Sequence, residues 1–235
     1  MFDLFAYGDA GWGDELLAGL GITLQLALLA LPLGLLLGFA FSTLSLANSG
    51  SLRLVARLYT TTMRGLPEIL TLFVIYNGVG VLLNLVMKSI GADPVEFSPM
   101  LAGVIALGMV FGAFAAEVLR GAFQSLDPGQ TEAAQAIGMT PMQIFTRVKV
   151  PQVWRFALPG LGNLWINLLK DTALVSVIAL DDLMRMTKVA AGFTKLPFNF
   201  YLAACLIYWI LCLISEAGLA KMERHANRGV RRAGS

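Results

Sequence analysis

Charge is scarce in this chain. Only 14% of its 235 residues are Asp, Glu, Lys or Arg, and the mean hydropathy is +0.73. Soluble globular domains carry about 25% charged residues, so a protein folded in water is excluded. Cysteine is nearly absent. Cys205 and Cys212 stand seven residues apart in one apolar run, about 10 Å along a helix axis, which bars a disulfide between them and leaves them as packing residues. The one histidine, His225, falls in a basic tail, and no metal-ligand spacing occurs. No Gly-Lys pair exists anywhere, which removes the G-x4-G-K-S/T loop whose backbone cradles phosphates. A chain of this kind that moves a solute uphill must draw its energy from elsewhere. Linkers, low-complexity tracts and internal repeats are missing too, so residues 1–235 read as a single membrane domain.

What is abundant is uncharged length. Runs extend over Leu16 to Leu52, Ile69 to Met87, Phe97 to Ala116, Phe156 to Leu169 and Leu196 to Ser215, and a bilayer needs about 20 apolar residues per helix. The fourth run is short but resumes after Lys170 and Asp171, so it counts as a span with a polar interruption. The fold class is thus all-α, with five transmembrane helices at about 16–46, 58–87, 97–122, 153–180 and 196–220. Cations in short loops stay cytoplasmic. An exterior N-terminus puts Arg53, Arg57, Arg64, Arg120, Arg147, Lys149, Arg155, Lys221, Arg224, Arg228, Arg231 and Arg232 inside, and only Lys88, Arg185, Lys188 and Lys195 outside. The first fifteen residues hold Asp3, Asp9, Asp14 and Glu15 without a cation, which predicts no cleaved signal peptide. The net charge of +2 reflects topology and points to no nucleic-acid partner.

One polar stretch, 127–151, interrupts the apolar chain on the predicted cytoplasmic side. Asp127 suits an N-cap, Pro128 the first helical position, and Gln130 a capping-box spacing; Gly138 suits a left-handed stop. The signal repeats with Thr140, Pro141 and Gln143, and Pro151 is expected to end the second helix. Ile144, Phe145 and Val148 share one side of that helix, with Gln143, Arg147 and Lys149 around the rest. This amphipathic pattern fits either an interfacial helix among lipid headgroups or a shaped projection offered to a partner protein.

Glu132, Ala133, Ala134, three residues, Gly138, nine residues, Val148, one residue, Val150 and Pro151 resemble the E-A-A-x3-G-x9-I-x-L-P signature of bacterial ABC importer permeases, departing in Val for Ile and Val for Leu. Met63 to Val79 resembles the R-G-x-P segment of the polar amino-acid branch. "AEVLRGAFQSLDPGQTEAAQAIG" and "LKDTALVSVIALDDL" are similar to the third span and the span after the loop. The resemblance implies a type I ABC importer fold in the bacterial inner membrane, with a two-helix coupling loop. Glu132, Ala133, Ala134, Gly138 and Pro151 would transmit motion from a cytoplasmic ATPase dimer, which would hold the ATP and magnesium; this chain would bind no cofactor and catalyse no covalent reaction. It also implies a second permease subunit, identical or homologous, and a periplasmic solute-binding protein. Glu68 directly after the R-G-x-P proline is similar to the subset that moves histidine, lysine, arginine and opines.

Ionisable groups within a bilayer need a partner or a purpose. Asn163, Asn167 and Lys170 recur at helical spacing, with Asp171 about 100° round the wheel. Asn163, Asn167 and Asp171 are candidates for a solute head group or cationic side chain; a stripe that bonds only to a neighbouring helix is the alternative. Glu68 either selects cationic solutes or pairs with Arg64. Glu117 and Arg120 read as a structural pair. Gly34-x3-Gly38 and Gly108-x3-Gly112 allow close helix approach, inside the chain or at a subunit interface. Asp181 to Lys195 reads as an outer helix and loop, either hydrated or facing the binding protein. A secondary transporter and a non-transporting scaffold are the rival readings.

Overall fold

The computed structural model describes residues 2–8 and 11–227; Asp9 and the tail cations Arg228, Arg231 and Arg232 lie outside the described residues. Every regular element among the described residues is helical. Four helices are long and apolar enough to cross a membrane: α1 (Gly13–Ser45), α3 (Glu68–Ser89), α4 (Pro99–Gln124) and α9 (Pro197–Ala226). A fifth span counts where the helix pair Pro141–Ile178 and Leu183–Thr194, bent by 54°, is taken as one crossing. The pair includes α7 (Val150–Asp171), a 3₁₀ turn (Thr172–Ile178) and α8 (Leu183–Thr194). Two shorter helices, α5 (Pro128–Ala136) and α6 (Pro141–Gln143), form the polar elbow.

The span expected over 58–87 is divided in the structure. Proline disfavours helical backbone in the residue before it, and Leu66, before Pro67, is extended at φ −93°, ψ 140°. The chain therefore makes an amphipathic helix α2 (Gly50–Gly65) before the span starts at Glu68. Tyr59 of α2 donates to the Met109 carbonyl at 2.6 Å and stacks on Phe41, with ring centroids 3.9 Å apart, pinning α2 against α1 and α4.

α4 lies at the centre, with α1 packed most extensively along it. The core joins Leu26 and Ala30 of α1, Leu72 of α3, Ala106 and Phe111 of α4, and Leu161 and Leu168 of α7. Close approach depends on the glycines. A Cβ on Gly34 would lie 2.5 Å from Phe111 Cδ1 and 3.0 Å from the Gly108 carbonyl, and one on Gly112 would meet Leu37 Cβ at 2.8 Å. Both glycine pairs thus serve packing inside the chain. Gly34→Val is expected to destabilise the permease by about 1–3 kcal/mol through overpacking, whereas Gly21→Ala on the same helix points into open space and is expected to leave stability unchanged or raise it by up to about 1 kcal/mol. Thermal unfolding in detergent measures both; equal shifts would refute the packing role.

At the other end α8 is fixed by Asp182, which is fully buried and accepts from the amides of Met184 and Arg185. Thr23 of α1 accepts from the Leu183 amide at 3.2 Å. The helix expected within Asp181 to Lys195 is this α8, anchored to α1 by the Leu183–Thr23 bond, with Arg185 also paired to Asp181 at 2.7 Å.

Candidate functional site: an elbow and a carboxylate pocket on one helix

The elbow is built by local rules. Asp127 caps α5 by accepting from the Gly129 amide at 2.8 Å. Gln130 does not complete a capping box; its side chain accepts from Gln152 Nε2 at 3.5 Å, tying α5 to the start of α7. At the corner Gly138 has φ +78°. Its amide donates to the Gln135 carbonyl, and the Met139 amide donates to Ala134, the paired bonds that close a helix on a left-handed residue. The next helix opens on a full capping box. Gln143 N donates to Thr140 Oγ1 at 3.3 Å, and Thr140 N donates to Gln143 Oε1 at 2.9 Å.

Ala134 and Ile144 are buried within the elbow, and Phe145 stacks on Phe123 at the end of α4 with centroids 6.4 Å apart. The amphipathic face thus turns towards the protein, not towards headgroups. What remains outside is a polar corner bearing exposed Glu132, Ala133 and Gly138. Its two apolar knobs are Ile137 at 79% exposed and Met142 at 70%.

Pro151 does not end the second helix. Ile144–Lys149 adopts π-helical geometry and Val150 remains right-handed helical, so the chain runs from Pro141 into α7 without a break. A proline removes an amide hydrogen and crowds the carbonyl one turn back, and the shifted register of the π turn just before Pro151 accommodates both. In consequence the elbow and α7 form one lever, about 45 Å long to Asp171 at 1.5 Å per residue.

The far end of that lever lines a cavity of about 180 Å³ between α3, α4 and α7. Glu68, the first residue of α3, meets the Asp171 carboxyl directly in its lining, Asn167 adds an amide, and Phe111 and Phe114 form apolar walls. Among the described residues neither carboxylate lies within 4.0 Å of a cation. Arg64 does not pair with Glu68. It reaches Glu117 at 4.0 Å and covers the Phe114 ring at 5.4 Å, while Arg120 grips Glu117 at 2.6 Å. Glu117 and Arg120 are therefore the expected structural pair, extended by Arg64. Asn163 is separated from this group; it lines an outer groove beside Glu216 and Glu223 of α9, which Asn167 also borders. The structure thus unites Glu68, Asn167 and Asp171 and leaves Asn163 apart. The walls Phe111, Phe114 and Leu164 carry no sequence signal beyond apolarity.

Comparison with known proteins agrees with this architecture. The chain is 43% identical over 230 residues to the nopaline transport system permease protein NocQ of Agrobacterium fabrum, covering 97% of this chain and 98% of that protein. It is 39% identical to the histidine/lysine/arginine/ornithine transport system permease protein HisQ of Salmonella typhimurium, covering 95% and 98%. Among solved structures it is similar to an amino acid ABC transporter crystallised with histidines, at TM-score 0.78 and 33% identity, covering 91% of this chain and 95% of that one. The methionine ABC transporter MetNI in an inward-facing conformation shares the fold at TM-score 0.73 and 18% identity, covering 91% and 96%. A family model described as the binding-protein-dependent transport system inner membrane component matches residues 16–228, and the chain belongs to that family, as a permease subunit with the type I ABC importer fold.

Proposed function

We propose that the chain is the membrane pathway of an ATP-driven importer for cationic amino acids or opines. The observation that supports this most is the pairing of Glu68 with Asp171 in a small pocket, two carboxyl groups that make no salt bridge among the described residues. Helix α7 connects that pocket to an exposed elbow. Two acidic groups facing each other repel unless a cation or a proton lies between them, and a guanidinium or ammonium head group supplies the missing charge. The Asn167 amide fixes its orientation.

The chain hydrolyses nothing in this reading. A separate cytoplasmic ATPase dimer holds ATP and magnesium, and its closure draws the elbows of two permease subunits together. Glu132, Ala133, Ala134 and Gly138 form the docking corner, and Pro151 lies within the rigid connection to α7. The N-terminus and α8 face the periplasm, where a solute-binding protein delivers its ligand; the C-terminus is cytoplasmic in the bacterial inner membrane. Asn163, in its outer groove beside α9, does not contact solute.

Reconstituted uptake tests the whole scheme. Proteoliposomes containing the permease, its ATPase and the binding protein are expected to accumulate arginine only with ATP inside. Accumulation driven by an ion gradient alone would replace this reading with a secondary transporter, and no uptake with any ATPase pairing would replace it with a scaffold.

A further inference from the structure

We infer that the groove between the cytoplasmic ends of α7 and α9 binds the head group of an anionic phospholipid. The groove measures about 560 Å³ and is lined by Trp154 and Leu158 of α7 and by Gly218, Lys221, Arg224 and His225 of α9, among others. That volume falls in the range of small-molecule sites. The orientation proposed above defines which end is cytoplasmic.

Polarity changes along the groove in the way a lipid does. The helices run antiparallel here, so Leu158 and Gly218 lie deeper in the bilayer, and Trp154, Lys221, Arg224 and His225 lie towards its surface. Trp154 is 46% exposed, at the level where tryptophans rest among headgroups. Lys221, Arg224 and His225 follow at i, i+3 and i+4, which puts them on one helix face. Among the described residues no acidic side chain lines the groove; Glu216 and Glu223 line another groove along α9. Neither Lys221 nor Arg224 forms an ion pair among the described residues. Arg155, beside Trp154 in sequence, is held over the Phe156 ring at 5.1 Å. A basic pocket between spans at the cytoplasmic leaflet suits a phosphate carried on a lipid, because the apolar upper part has no use for a free ion. It is also distinct from the exposed knobs Ile137 and Met142 of the elbow, where an ATPase would dock.

The test uses the assembled permease and ATPase in detergent, stripped of native lipid, with phosphatidylglycerol or phosphatidylcholine added and retained lipid counted by native mass spectrometry. Phosphatidylglycerol is expected to be retained in preference, and the double substitution Lys221→Gln with Arg224→Gln is expected to weaken it by on the order of 30-fold. Lys195→Gln, at the opposite membrane face, is expected to change nothing. Equal retention of the two lipids, an unaffected double variant, or an equal loss in Lys195→Gln would overturn the site. Complete displacement by millimolar inorganic phosphate would assign the groove to a free anion instead. Loss of the ATPase from the double variant with lipid retention intact would assign these cations to the ATPase. Retention in detergent does not depend on which way the chain is inserted, so failure here is separable from failure of the orientation.

Discussion

Gly138→Val is expected to leave ATP hydrolysis by the assembled importer largely intact while lowering solute moved per ATP by about 5- to 30-fold. Left-handed backbone costs an ordinary residue roughly 1–2 kcal/mol, and a β-branched side chain is a poor occupant of positive φ. Gly138 holds φ +78° and closes α5 through two backbone bonds, so the strain falls on the corner angle itself. The added side chain meets no neighbouring atom within 4 Å in this chain, which leaves backbone conformation as the internal cause. A clash with the ATPase is the competing explanation, and Gly138→Asn separates the two. Asparagine is comparable in bulk to valine but tolerates left-handed backbone, so it is expected to remain near wild type. Uptake and phosphate release measured together in proteoliposomes decide the matter. Equal coupling in the valine and asparagine variants would remove the corner's conformation from the mechanism.

The elbow was legible because its signals are local. Caps at Asp127 and Thr140 and the stop at Gly138 act within one turn, and the structure contains all three. Pro151 misleads for the same reason. A proline inside a polar stretch reads as a terminator, and nothing in the residues Ile144–Lys149 announces the π turn that lets the helix continue. The break at Pro67 was obscured differently, since an uncharged run marks the apolar residues of a span but not where the backbone bends. The pocket could be half read. Helical spacing put Asn163, Asn167 and Lys170 on one stripe, but which members turn inward depends on the helices packed beside α7. Asn167 borders both the cavity shared with α4 and the groove along α9, whereas Asn163 borders the groove alone. The meeting of Glu68 with Asp171 joins segments about a hundred residues apart, and no periodicity within either predicts it.

That meeting supports the second large expectation. Glu68→Gln and Asp171→Asn keep the shape of each side chain while removing its charge, and together they are expected to depress arginine uptake by about 10-fold or more. A hydrogen bond to a charged group contributes about 1.5–3 kcal/mol, and its loss inside a membrane is not compensated by water. Neutral solutes of similar size gain nothing from either carboxylate, so their uptake is expected to fall much less. The ratio of the two rates, not the absolute loss, is the informative quantity, because any disturbance of α7 would slow both solutes. Asn163→Ala provides the internal reference: it lies on the same helix but outside the cavity, and its selectivity ratio is expected to match wild type. If the double variant loses arginine and neutral uptake in equal measure, the carboxylates serve packing or gating, and cation selection must reside elsewhere along the pathway.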